Sequence, residues 1–158
     1  MSSISRPSFD EVRRKIETAL QILYKNDHFL ITNCTHERAI THKLAEHIQR
    51  LFPEWHVDCE YNRLGEELPK AIPSQDESYP DVIIHHRNTR DNILIIEAKS
   101  IHSNDRNDRH DKIKIKAYIE DSDYRYQFGL WICFYDDPAE TKLDWFENQA
   151  GICCGVSS

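Results

Sequence analysis

The segment from Pro80 to Lys99 sets charged residues inside two of the most aliphatic runs of the chain. It reads Pro80-Asp81-Val82-Ile83-Ile84-His85-His86, a polar Arg87-Asn88-Thr89-Arg90-Asp91, then Asn92-Ile93-Leu94-Ile95-Ile96-Glu97-Ala98-Lys99. Two such runs joined by a short polar connection predict a β-hairpin. Side chains alternate along a strand, so Ile93, Ile95, Glu97 and Lys99 share one face, with neighbours about 6–7 Å apart. A carboxylate and an ammonium therefore stand side by side at the end of a strand built for burial. Asp81 opens the adjoining strand and can converge on them.

This grouping has a chemical use. Carboxylates from neighbouring strands can hold Mg²⁺, which keeps several waters and takes only one or two protein carboxylates. Asp81 and Glu97 are the candidate ligands. A metal so held lowers the pKa of its water and offsets charge on a phosphoryl oxygen. Lys99, two residues beyond Glu97, is placed to orient the attacking water or to stabilise the charged transition state. An isolated Glu-x-Lys is most often a plain ion pair, and it is Asp81 on the preceding strand that gives the triplet its interest.

Pro80-Asp81, fifteen intervening residues, then Glu97-Ala98-Lys99 resembles the PD-(D/E)xK nuclease superfamily, which includes restriction endonucleases and Holliday-junction resolvases. The resemblance implies metal ligation by Asp81, Glu97 and the Ala98 carbonyl, with Lys99 catalytic. It also implies an αβββαβ core, an α/β architecture with a mixed central sheet flanked by helices. The elements expected over about residues 35–136 fall in that order.

Ser8-Phe9-Asp10-Glu11 fits a capping box, and Val12, Ile16, Ala19, Leu20 and Leu23 form a one-sided stripe. These predict an N-terminal helix from Ser8 to about Lys25, broken by Asn26-Asp27-His28, in an extension (1–27) outside the core. A second helix is expected from about Thr35 to Phe52, stopped by Pro53. Glu37 lies in its first turn. The resemblance makes Glu37 a further residue of the metal site, whereas the plain reading is an acid complementing the helix dipole. His56 to Asn62 alternates as a half-buried first strand. Arg63 to Tyr79 reads as a loop, either gating the site or simply covering the surface.

Beyond Lys99, residues from Ile101 to His110 read as loop. Asp111 to Glu120 is ambiguous, because Lys112-Ile113-Lys114-Ile115-Lys116 alternates like a strand while Ile115, Tyr118 and Ile119 share a helical face. A helix is expected. Arg109, Lys112, Lys114 and Lys116 form the densest basic run, a candidate nucleic-acid contact or else a solvated face. Tyr126 to Tyr135 is nearly continuous apolar sequence, as in a central strand covered on both faces. In the tail, Leu143, Trp145 and Phe146 suggest one short helix or strand, with a frayed end from Gly151.

At 158 residues the chain fits one domain, with the nuclease-like core at 35–136. No apolar run of about 18 residues and no signal-peptide pattern is present, so a cytoplasmic protein is expected. The five cysteines, odd in number, read as reduced thiols. A thiol enzyme using Cys59 or Cys133 fits poorly, since both are expected inside core strands. The net charge of −7 works against broad phosphate binding. The expected function is a Mg²⁺-dependent nuclease, with Mn²⁺ a substitute, acting on nucleic acid and on DNA before RNA. The alternative is a binding module of the same fold without turnover. No membrane partner is expected, and a homodimer is left open.

Overall fold

A computed structural model describes residues 5–33, 36–61, 79–104 and 107–149. The expected Thr35 helix start, most of the Arg63–Tyr79 loop, the tail from Gly151, and Cys34, Cys153 and Cys154 lie outside them. Within them the chain is α/β, with a mixed five-stranded sheet between helices.

Helix α1 spans Phe9–Thr32. Ser8 caps it, its hydroxyl accepting the Glu11 amide at 3.2 Å. The expected stop at Asn26-Asp27-His28 is corrected. Asp27 leaves helical geometry (φ −124°, ψ 20°), yet the helix resumes and buries Ile31. Tertiary contacts outweigh the local break, because Asp27 Oδ2 meets His47 Nε2 at 2.8 Å and His28 Nε2 meets the Asp136 carbonyl at 2.7 Å. α1 packs into the larger buried cluster of the chain. Its Val12, Ile16, Leu20 and Leu23 belong to the same buried cluster as Leu44 and Ile48 of α2, Glu37–Leu51.

The sheet runs β1 (His56–Cys59), β2 (Val82–His85), β3 (Asn92–Ser100), β4 (Phe128–Phe134), β5 (Lys142–Glu147), in that spatial order. The expected hairpin is β2–β3, antiparallel, with Val82 opposite Ile96. β3 and β4 are parallel and need a crossover. Helix α3, Asp108–Glu120, supplies it. It begins three residues before the expected Asp111, because Asn107 caps it through its side chain. β1 is shorter than expected, since Glu60 turns to φ 50°. Its Cys59 is exposed rather than a core residue. The tail segment is β5, half-exposed at the sheet edge.

Period-two alternation divides the sheet between two cores. Val82, Ile84, Leu94, Ile96, Leu130 and Ile132 pack with α1 and α2 on one face. Ile83, Ile95, Trp131 and Cys133 pack with Ile115, Tyr118 and Ile119 of α3 on the other. Burying one such aliphatic side chain is worth about 1.5–3 kcal/mol, so α3 is held firmly on its face. Gly129 of β4 admits it closely: a Cβ there would collide with Ile115 Cγ2 and Ile119 Cδ1. The charged end of β3 lies on this α3 face.

Candidate active site

Asp81 is the last residue before β2, and Glu97 and Lys99 lie toward the C-terminal end of β3, Glu97 buried and Lys99 half-buried. The β2–β3 ladder stops at Val82–Ile96, which leaves the Ala98 amide without a strand partner on that side. The Asp81 carboxylate takes it, Oδ2 to N at 2.8 Å. In extended chain the N–H and C=O of one residue point to the same side. The Ala98 carbonyl therefore shares the edge that Asp81 occupies.

Glu37 arrives from the first turn of α2. Its Oε1 accepts the Ser100 amide at 3.3 Å, and its Oε2 lies 3.9 Å from Lys99 Nζ. Asp111 of α3 is the carboxylate that the sequence reading placed on the helix without giving it to the site. Its Oδ2 lies 3.7 Å from Lys99 Nζ, so Lys99 stands between two carboxylates from two helices.

The largest departure concerns Lys114. As a member of the basic run it was a candidate phosphate contact, but it is only 5% exposed. Asp111, Lys114, Ile115 and Tyr118 follow i, i+3, i+4, i+7 spacing and face the sheet together. Lys114 Nζ lies 2.8 Å from Glu97 Oε1 and donates to the Tyr79 carbonyl at 2.8 Å. A carboxylate buried alone among isoleucines would cost several kcal/mol. Lys114 offsets that cost, so in this structure it is a partner of the site rather than a surface cation. Lys112 is also engaged, over the Trp131 ring at 4.2 Å and paired with Asp144. Arg109 and Lys116 are exposed, Lys116 lying 5.6 Å from the Phe146 ring centre.

The electrostatics show crowding by negative charge. Burial, then the Asp81 charge, pushes Glu97 up to about 8, although Lys114 opposes both. Burial also raises Asp81 against the Ala98 amide and the two lysines, and raises Asp111 against Lys99 and Lys114. Glu97 Oε1 and Asp111 Oδ2 are buried and face Lys114 and Lys99 respectively. Four carboxylates and two ammonium groups thus share one end of the sheet.

Such oxygens are hard donors, suited to Mg²⁺ or Mn²⁺ rather than to metals that prefer sulfur or imidazole. Asp81 and Glu97, with the Ala98 carbonyl on the same edge, are the residues that fit a metal sharing its shell with water. Among the described residues no group of three or more His, Cys, Asp or Glu side chains forms a ready cage. A thiol alternative gains nothing from Cys59, whose pKa is pushed up to about 11 by local desolvation and then by Asp58, Asp81 and Glu60.

No family model, curated protein or solved structure matches the chain. Among the described residues no helix is long and apolar enough to cross a membrane.

Proposed function

We propose that the chain is a divalent-metal-dependent nuclease of the PD-(D/E)xK type, hydrolysing phosphodiester bonds in nucleic acid, DNA before RNA. One observation carries the reading: Asp81 is clasped to the Ala98 amide, between Glu97 and Lys99 in sequence, while α2 brings Glu37 to the same lysine. Mg²⁺ or Mn²⁺, when bound, would supply an activated water and neutralise phosphoryl charge. Asp81, Glu97 and the Ala98 carbonyl would hold it. Lys99 is set by Glu37 and Asp111 so that its ammonium can orient the attacking water and stabilise the charge that develops on the phosphate. Glu37 acts by fixing Lys99 and the Ser100 amide.

A second reading, a binding module without turnover, draws on the Lys114–Glu97 pair and on the net charge of −7. The two are separated by incubating the protein with duplex DNA, single-stranded DNA, junction DNA and RNA, each with Mg²⁺, Mn²⁺ or a chelator. Metal-dependent cleavage that Glu97→Gln abolishes is the expected result. Binding without cleavage under every condition would favour the module.

A further inference from the structure

Like Asp111, Lys114 belongs to the candidate site but not to the Asp81, Glu97 and Lys99 pattern. It comes from α3, reaches through the helix–sheet core, and sets an ammonium 2.8 Å from Glu97 Oε1. Both side chains are almost fully buried, 6% and 5% exposed. The Lys114 ammonium is shared between Glu97 Oε1 and the Tyr79 carbonyl, each at 2.8 Å. Its charge acts on Asp81 as well as on Glu97. A single positive group therefore serves both carboxylates suited to a divalent ion.

We infer that Lys114 is the resident counter-cation of this site, and that a divalent ion binds only by displacing its ammonium from Glu97. The inference rests on the metal-site reading above and adds a regulatory element to it. Glu97, when ionised in this buried position, needs a cation beside it. In the metal-free protein Lys114 is that cation. With the ion in place, two positive groups would face one carboxylate, and the lysine, on a flexible four-carbon stem, is the one able to move. Tyr79 precedes Pro80-Asp81, so the same ammonium also steadies the backbone entering the metal edge. Metal uptake is thereby set against an internal competitor, which lowers apparent affinity and keeps the site compact when empty of metal.

The test is Mn²⁺ binding measured by electron paramagnetic resonance, alongside thermal melting, for wild type, Lys114→Gln and Lys114→Arg. Gln keeps a donor for the Tyr79 carbonyl and removes the charge, and Arg keeps the charge. Lys114→Gln should melt lower than wild type without metal, bind Mn²⁺ about tenfold tighter or more, and gain more in Tm on saturation. Lys114→Arg should bind no tighter than wild type. Equal or weaker Mn²⁺ binding by a folded Lys114→Gln overturns the inference and leaves Lys114 a fixed structural pair, with the metal site intact. Absence of Mn²⁺ binding in every variant overturns the metal site and the inference together. A second measurement uses the wild type alone and holds even if Lys114→Gln fails to fold. Lysine acetylation read by mass spectrometry should find Lys114 protected without metal and labelled several-fold faster with saturating Mg²⁺. Unchanged protection on metal saturation counts against displacement.

Discussion

Asp81 Oδ2 accepts the Ala98 amide at 2.8 Å, so the carboxylate is tied to the middle residue of Glu97-Ala98-Lys99. The bond needs only one oxygen. Asp81→Asn keeps an acceptor for Ala98 while removing the charge, which makes it a clean probe of metal binding. Mg²⁺ or Mn²⁺ should raise the wild-type Tm, and Asp81→Asn should abolish the rise. An equal rise in both proteins would remove Asp81 from the metal site.

Lys99 lies 3.9 Å from Glu37 and 3.7 Å from Asp111, and its proposed task is catalytic rather than ligating. Lys99→Ala should cut cleavage by roughly 10²-fold or more, the scale for losing one preorganised charge. The metal-induced rise in Tm should survive. Lys99→Arg should restore little, because a planar guanidinium does not replace a compact ammonium. Full cleavage by Lys99→Ala would cancel the assignment.

Of the basic run, Arg109 and Lys116 are the members exposed to solvent. Replacing both with Gln should weaken DNA binding and flatten its salt dependence, by roughly one unit of slope per lost phosphate contact. Lys112→Gln should act less on the slope, since Lys112 is held by Trp131 and Asp144. Binding isotherms at several salt concentrations decide the matter.

Asp58 supplies a pH prediction away from the site. Burial alone would raise its pKa, but hydrogen bonds from Arg87 and His85 outweigh burial and hold it below the usual carboxylate value of 3.8. A depressed carboxylate stabilises the fold above its unfolded pKa and loses that contribution as pH falls through the folded value. Asp58→Asn should cost about 1–2 kcal/mol at neutral pH, the Arg87 share being reduced by solvent. The difference should vanish progressively below about pH 4. Urea melts of both proteins between neutral and acid pH would check it, and a pH-independent difference would refute it.

Gly129 tests the seat of α3. A methyl group there meets Ile115 and Ile119, both held in the core. Gly129→Ala should destabilise by about 1–3 kcal/mol through overpacking. Because the strain moves the helix that carries Asp111 and Lys114, cleavage should fall as well. A variant as stable as wild type would show that α3 has room to shift.

The hairpin was legible because Val, Ile and Leu fill both strands and a polar turn separates them. Strand alternation set Glu97 and Lys99 on one face, and the hairpin brought Asp81 beside them. The course of α1 past Asp27 was not legible, because the side chain that accommodates the kink, His47, lies on another helix. Lys114 was hidden by its own neighbourhood: Arg109, Lys112, Lys114 and Lys116 read together as one basic run, in which a buried member carries the same charge as its exposed neighbours. The helical spacing Asp111, Lys114, Ile115, Tyr118 carried the signal, a buried stripe whose first two members are charged. β5 was ambiguous for a different reason. An edge strand that buries little has little need of a strong apolar period.

Glu97 and Lys99 ride on β3, the middle strand of five, hydrogen-bonded to β4 along its length and to β2 up to Ile96. Opening it requires breaking the centre of the sheet, so this pair belongs to the stiffest part of the molecule. Asp81 and Glu37 stand off the ladder, one before a strand and one in the first turn of a helix. Movement at this end of the sheet is therefore left to the groups that stand off the ladder, those two and the α3 side chains Asp111 and Lys114. Precision is set by the sheet, and adaptability is left to its margins.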